Sequence, residues 1–275
     1  MNAPRPQRPR RQQGFTLVEA IIGMSLTALT LSLTMGTFML CIRSMYKDAQ
    51  RLATNASLRY FTAHVSKETI DSSEYYIFSS YSKLDGSVDL AADVAQQAEA
   101  DYGTEASYGD CLVLVTRTTI DTDSNVRQFR IYYRIPLSTA GVATPSNPNN
   151  TGPIRYYEST DYGSSGTSTT LTALLNGINL STTPIYAGSR ELVQKARGRP
   201  ITTAGSHWCP LSTPPYSDTN KCTHTTDIYP IFSSESSTAT PVNDGVSINA
   251  EIINGTSAAN MLSSSSFNYT ISPRR

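Results

Sequence analysis

Apolar residues are spaced at helical intervals in the first part of the chain and at strand-like intervals after about residue 72. An apolar run extends from Phe15 to Ile42, with Glu19 as its one charged residue. Small apolar and aromatic residues then recur at helical spacing: Ala49, Leu52, Ala53, Ala56, Tyr60 and Ala63. The pattern predicts a single helix from Phe15 to Ile70, about 80 Å long at 1.5 Å per residue, whose second half lays this stripe on a globular head.

The remainder of the chain has the signature of short antiparallel strands joined by turns. Runs of β-branched and aromatic residues alternate with Ser, Asn, Gly and Pro. In chain order these predict a short helix over 87–99, a hairpin over 111–135, a strand over 154–159, a short helix or strand over 171–178, an irregular insert over 191–222, and a closing hairpin from 245–254 and 267–275. The expected fold class is α+β, with a long N-terminal helix packed on an antiparallel β-sheet head.

The run Phe15–Ile42 is longer than the roughly 20 residues that a helix needs to cross a bilayer. A cleaved secretory signal would have an apolar core of only about 7–15 residues and a small-residue cleavage site after it. We therefore expect a transmembrane helix. The arginines in the leader, residues 1–14, favour a cytoplasmic N-terminus, although basic residues at 43, 47 and 51 weaken the charge bias.

Composition argues against several function classes. Lys+Arg and Asp+Glu both total 22, so no basic excess indicates nucleic-acid binding. The head is rich in Ser, Thr, Asn and Tyr, as is common in exported β-rich proteins. It contains no glycine-rich phosphate loop, nucleophile elbow or HExxH motif. We expect no enzymatic activity and no cofactor.

Glu19 is the unusual residue of the apolar run. A carboxylate at mid-membrane costs about 2.5–3.5 kcal/mol on insertion scales, so such residues usually have a function. Its place near the helix N-terminus offsets part of that cost. A chain cut between Gly14 and Phe15 would create an α-amine four residues before Glu19, and that amine is a natural counter-ion.

These residues resemble a known processing signal. The string GFTLVE at residues 14–19, after an Arg-rich leader and before a long apolar helix, resembles the type IV prepilin signal shared by type IV pilins and the pseudopilins of type II secretion. The resemblance implies cleavage after Gly14 by a prepilin peptidase and N-methylation of Phe15. It also implies that Glu19 recruits the subunit into a filament by meeting the amine of a neighbour.

The resemblance covers roughly residues 10–42 and has one departure. Major pilins often carry a proline that bends this helix, and here Gly36 occupies roughly that place. The order of a long helix followed by antiparallel strands also resembles minor pilins and pseudopilins, with the J-type minor pseudopilin nearest. An ordinary single-pass anchor with a chance glutamate is the alternative.

Small and hydroxyl residues form a seam along the apolar run at alternating spacings of four and three. Its members are Gly23, Thr27, Thr30, Thr34, Thr37, Cys41 and Ser44. Such a stripe lets membrane helices approach closely and hydrogen-bond, so it is a candidate packing surface for neighbouring subunits. The alternative is that each hydroxyl bonds back to its own helix.

Two groups in the head have metal-ligating side chains, and each has a simpler interpretation. His207, Cys209, Cys222 and His224 could form a tetrahedral zinc site, but we favour a Cys209–Cys222 disulfide in an oxidising compartment. Asp121, Asp123 and Asn125 resemble the opening of a calcium loop. That loop's glycine and glutamate are missing, and a hairpin turn explains these residues better.

Together these features predict a prepilin-like structural subunit. The expected segments are a basic leader (1–14), a transmembrane helix (15–42), an amphipathic helix (43–72) and an exported β-rich head (73–275). Expected partners are the prepilin peptidase, other pilin or pseudopilin subunits, the inner-membrane assembly platform and membrane lipid. The head would be periplasmic or extracellular. The rival function is a non-polymerising, membrane-anchored adhesin or binding module.

Overall fold

The computed structural model of the chain describes residues 15–94, 97–99, 104–119, 124–138, 140–145, 150–198, 231–236, 245–255 and 261–271. The chain divides into two compact units, Met1–Ala49 and Gln50–Arg275. The first contains the apolar part of the long helix. The second, which we call the head unit, contains the rest of that helix and the sheet.

Helix α1 extends from Leu17 to Ile70 over 54 residues, as the apolar periodicity predicts. It contains no proline, and it continues through Gly36 without interruption. Its most apolar 18-residue window has a mean hydropathy of 1.7, and none of that window is buried. By length and composition, α1 is able to cross a membrane.

The described strands form one antiparallel sheet. The strands are β1 (Glu74–Phe78), β2 (Gln97–Glu99), β3 (Thr104–Gly109), β4 (Cys111–Arg117), β5 (Val126–Arg134), β6 (Gly152–Glu158), β7 (Arg190–Gly198), β8 (Phe232–Ser236), β9 (Val246–Gly255) and β10 (Met261–Ile271). Their order is β1-β4-β5-β6-β7-β9-β8-β3-β2, with β10 also paired to β9. Because β10 pairs along the whole of β9, strands β7 and β8 share its other edge. The chain is therefore α+β, with a long helix and an antiparallel sheet.

The second half of α1 packs on one face of this sheet. Leu58, Phe61 and Val65 are buried together with side chains of β1, β4, β5 and β6. The predicted contact stripe is wrong: all six of its residues are exposed, with Leu52 at 70% and Tyr60 at 53%. The buried face has the larger side chains and removes more apolar area from water than a face made mainly of alanine.

The opposite face of the sheet is covered by two short helices and their loops. These are α2 (Leu90–Asp93) and α3 (Leu171–Asn176), together with a 3₁₀ turn over Tyr81–Lys83. Leu171 and Leu175 of α3 are buried against this face, where Cys111 is also fully buried. α3 resolves the open choice over 171–178 in favour of a helix.

Two predicted elements differ from the structure. The helix expected over 87–99 is limited to α2, because Val94 leaves the helical region and β2 begins at Gln97. The irregular insert expected from residue 191 begins instead as strand β7, which pairs with both β6 and β9. Its run ELVQKARG lacks a strong alternating pattern, and the strand is specified by its two neighbours.

Candidate functional site

The N-terminus of α1 carries the residues of the predicted processing signal. Phe15 is 88% exposed, and Thr16 precedes the helix. The backbone N–H and the hydroxyl of Thr16 both donate to Glu19 Oε2 at 3.0 Å. In return, the Glu19 N–H donates to Thr16 Oγ1 at 3.3 Å. This reciprocal arrangement is a capping box.

The capping box gives Glu19 a partner within its own chain. Its carboxylate accepts two hydrogen bonds at the end of the helix where orphan N–H groups and the positive dipole favour a negative charge. The first turn therefore holds the carboxylate in a defined position just beside Phe15. Gly14, the predicted cleavage residue, lies outside the described residues.

The seam residues of α1 are exposed, and their hydroxyls are satisfied within the helix. Thr27 Oγ1 donates to the Gly23 carbonyl at 2.8 Å, and Thr34 Oγ1 donates to the Thr30 carbonyl at 2.9 Å. Thr30 and Thr37 bond back in the same way. A Cβ added at Gly23 would meet nothing within 4 Å. The backbone bonds lower the cost of these hydroxyls in lipid, and the role of the seam in subunit packing stays a prediction.

The head unit fastens α1 to the sheet through a largely buried polar cluster. Arg130 Nε lies 2.8 Å from Glu68 Oε2 and 3.3 Å from Glu158 Oε1. The same guanidinium donates to Thr116 Oγ1 at 3.2 Å and to Gln128 Oε1 at 2.6 Å. Nε, Nη1 and Nη2 of Arg130 therefore all have partners, and the side chain links α1 to the adjacent strands β4, β5 and β6.

A second cluster surrounds His64 of α1. Its Nε2 is 2.6 Å from Arg190 Nη2, and its Nδ1 is 2.7 Å from the hydroxyl of Tyr132. Because a guanidinium only donates, Nε2 must accept, and the proton of a neutral imidazole must sit on Nδ1. Burial, and then the positive charge of Arg190, hold the pKa of His64 below its ordinary 6.5. His64 is therefore neutral at neutral pH.

Arg190 stands at the edge of an open groove beside this cluster. Its guanidinium carbon lies 4.8 Å from the ring centroid of Tyr156, within cation–π range. The groove has a volume of about 430 Å³ and is lined by Tyr156, Glu158, Ser159, Thr160, Gly188 and Arg190. That volume is within the roughly 300–1,000 Å³ of ligand sites. No sequence pattern predicts this site, because His64 and Arg190 are 126 positions apart.

Most residues of the predicted disulfide and metal sites lie outside the described part of the chain. Cys209 and Cys222, with the neighbouring His207 and His224, lie outside the described residues, as do Asp121 and Asp123. Asn125 is described, and its side-chain amide donates to the Ser165 carbonyl at 2.9 Å. Among the described residues, no group of three or more His, Cys, Asp or Glu side chains could hold a metal ion.

Comparison with known proteins agrees with the geometry of the α1 N-terminus. Residues 9–35 match the family model described as the prokaryotic N-terminal methylation motif. This is the type IV prepilin and pseudopilin signal, and it contains Gly14, Phe15 and Glu19. The chain matches no curated protein and no solved structure.

Proposed function

We propose, on the premise that this chain carries the prepilin-type methylation signal, that it is a structural subunit of a type IV pilus or a type II secretion pseudopilus. The chain is processed after Gly14, methylated on the amine of Phe15, and polymerised through α1. Its role is mechanical, not enzymatic, and it requires no cofactor. The match over residues 9–35, at the start of a helix whose most apolar 18-residue window has no buried residue, is the observation that carries this proposal.

The motif and the apolar helix suggest a membrane-anchored chain. The leader would remain in the cytoplasm and the head would stand in the periplasm or outside the cell. The prepilin peptidase, the inner-membrane assembly platform and other pilin-type subunits are the partners that this route requires. Membrane lipid would surround the apolar first part of α1, as far as Ile42, before assembly.

The exposed stripe on the second half of α1 supports assembly through the helix. Leu52, Ala56 and Tyr60 are exposed on the side of the helix away from the buried face. An exposed apolar row of this kind is typical of an interaction surface. The seam in the first half offers small residues for the same kind of contact in lipid.

A minor subunit is the form of this function that we favour. The head has a large antiparallel sheet in which the order of the strands departs from their order in the chain, and a long stretch of sequence lies between β7 and β8. A large head of this kind suits a specialised or tip subunit better than a repeating filament shaft. The J-type minor pseudopilin remains the nearest resemblance in element order.

The first test is intact-mass and N-terminal analysis of the protein from its native membrane. We expect a chain that begins at N-methylated Phe15, with the leader absent. A Gly14→Leu variant should retain the leader, because a bulky residue replaces the small one at the cut. A wild-type chain that keeps its leader in cells with active prepilin peptidase would support the non-polymerising anchored module.

The second test concerns the seam. Thr30→Leu with Thr34→Leu should block incorporation into filaments while leaving membrane insertion intact, because leucine is bulkier than threonine and more apolar. Ser25→Leu with Ser32→Leu, which changes residues off the seam, is the matched control. Normal incorporation of the Thr30/Thr34 variant would exclude the seam as a packing surface.

A further inference from the structure

Arg190 differs from the other arginines of the sheet in having no acidic partner among the described residues. Each of the others forms an ion pair with a carboxylate: Arg117, Arg127, Arg130, Arg134, Arg155 and Arg197. Arg190 instead contacts neutral His64 and the ring of Tyr156. Both partners fix the position of the guanidinium without neutralising its charge.

The position of Arg190 is set by residues on three elements. His64 comes from α1 and Tyr156 from β6, where Tyr156 is the register partner of Arg190 on β7. Tyr132 of β5 holds the other nitrogen of His64. A guanidinium ordered in this way loses little conformational entropy when it binds a planar anion.

The groove lies where the pairing of β6 with β7 ends, beyond Tyr156 and Arg190. Tyr156 pairs with Arg190, but the register does not continue to Glu158 and Gly188, both of which line the groove. The Ser159 N–H donates to the Phe129 carbonyl of β5. Since alternate residues of a strand face alternate neighbours, the backbone of Glu158 faces the side that β7 has left.

The charges of the groove fit an acidic segment in extended conformation. Arg190 can receive a carboxylate in the bidentate geometry that guanidinium groups favour. Glu158 on the other wall is already bound to Arg130 at 3.3 Å and to Gln128 at 2.9 Å. Its charge is thus partly compensated, and its free acceptor capacity suits the N–H groups of a neighbouring main chain.

We propose that this groove binds an acidic residue of an extended polypeptide, with the carboxylate on Arg190 and the peptide backbone alongside the exposed edge of β6 at Glu158. This site needs neither processing nor polymerisation. Its failure would leave the proposed filament function intact, and a failure of that function would leave this site intact.

The test is binding of a capped peptide to the full chain in detergent micelles. The probe is Ac-Ser-Thr-Val-Glu-Val-Thr-Ser-NH2 with a neutral fluorophore, and its Gln counterpart is the reference. We expect the Glu peptide to bind at least tenfold more tightly than the Gln peptide in fluorescence anisotropy. Arg190→Gln should remove that difference, and Thr160→Trp should block both peptides by filling the groove.

Arg127→Gln is the matched control, because it neutralises another sheet arginine whose partner, Asp161, lies outside the groove. It should bind both peptides as the wild type does. Equal affinity for the Glu and Gln peptides, no binding at millimolar concentration, or unchanged discrimination in a folded Arg190→Gln variant would overturn the proposal. If sodium acetate competes at the same concentration as the peptide, the groove recognises a carboxylate alone, and the claim that it binds an extended polypeptide is overturned.

Sedimentation of the wild type and of Arg190→Gln, which measures self-association, identifies the protein that supplies the acidic segment. Self-association that is present in the wild type and lost in Arg190→Gln supports the site, with the acidic residue supplied by a second copy of this chain. Peptide binding without self-association supports the site with a different protein as its partner.

Discussion

Glu68 on α1 and Arg130 on β5 form an ion pair with an N–O distance of 2.8 Å, and each side chain is only 11% exposed. Arg130 also contacts Glu158 and Thr116, which belong to the strands on either side of β5. The last turns of α1 are therefore tied to the sheet by a charge cluster beside the apolar contacts of Phe61 and Val65.

Removing the carboxylate should destabilise the head. Glu68→Ala leaves Arg130 largely buried, with Glu158 as its one remaining acidic partner among the described residues, and breaking such a pair costs about 3 kcal/mol. We expect the free energy of unfolding to fall by about that amount in urea denaturation followed by near-UV circular dichroism. Asp161→Asn is the control, because its pair with Arg127 is about half exposed and should cost less than about 1 kcal/mol. Equal losses in the two variants would show that the Glu68 pair is not an anchor.

His64 should make the stability of the head depend on pH. The groups that face it are Arg190, Glu158, Lys67 and Arg130, and burial lowers its pKa before any of them. The folded pKa lies below the unfolded value of 6.5, so the unfolded chain binds more protons as the pH falls below 6.5. Stability is full above that pH and is lost on acidification towards and through the folded pKa.

His64→Asn tests this linkage, because the asparagine side chain can still accept from Arg190 and does not titrate. The wild-type unfolding free energy should decline as the pH falls below 6.5, and the variant should lose most of that slope. An identical slope in the two proteins would assign the acid sensitivity to other groups.

Much of the fold follows from local patterns, and the exceptions have a common cause. The hairpin over 111–135 was predicted, and β4 and β5 form it, because both arms carry runs of β-branched and aromatic residues. β9 and β10 likewise pair as a closing hairpin, although β10 begins at Met261, before the predicted second arm at 267–275. The strand β7 was missed because its burial depends on β6 and β9, and not on an alternating sequence.

The candidate site residues divide in the same way. Phe15 and Glu19 belong to a motif that is recognised along one segment of the chain, and their roles in processing and assembly stay predictions. The Arg190 groove could not be predicted, because its residues come from α1, β6 and β7 and meet only through sheet register. The face of α1 that contacts the sheet is also predicted wrongly. The alanine-rich stripe and the stripe of Leu58, Phe61 and Val65 both have helical spacing, and only the volume available above the sheet selects between them.

Gly109 should be intolerant of any side chain. It lies where β3 passes β1, and a Cβ at this position would overlap the carbonyl oxygen of Phe78. Because that atom belongs to the backbone of a paired strand, Gly109→Ala should lower the free energy of unfolding by about 2–4 kcal/mol. Gly177→Ala is the control: Gly177 has φ −68°, and its added Cβ would be in ordinary contact at 3.4 Å. Thermal denaturation of both variants should show a lowered midpoint for Gly109→Ala alone, and an unchanged midpoint for both would contradict the close approach of β3 and β1.

Thr16 should determine how firmly the first turn of α1 is closed. Its hydroxyl both donates to Glu19 Oε2 and accepts from the Glu19 N–H, so Thr16→Ala removes two of the three bonds of the capping box and should cost about 1 kcal/mol locally. We expect hydrogen exchange of the Glu19 amide, whose N–H donates to Thr16 Oγ1, to quicken about fivefold in micelles, which corresponds to that energy. Thr16→Ser keeps the hydroxyl and should retain slow exchange, which separates the cap from the loss of a methyl group. Equal protection in wild type, Thr16→Ala and Thr16→Ser would mean that orphan N–H groups at this end are satisfied without the Thr16 side chain, and Glu19 would then be free to meet an amine without first leaving a cap.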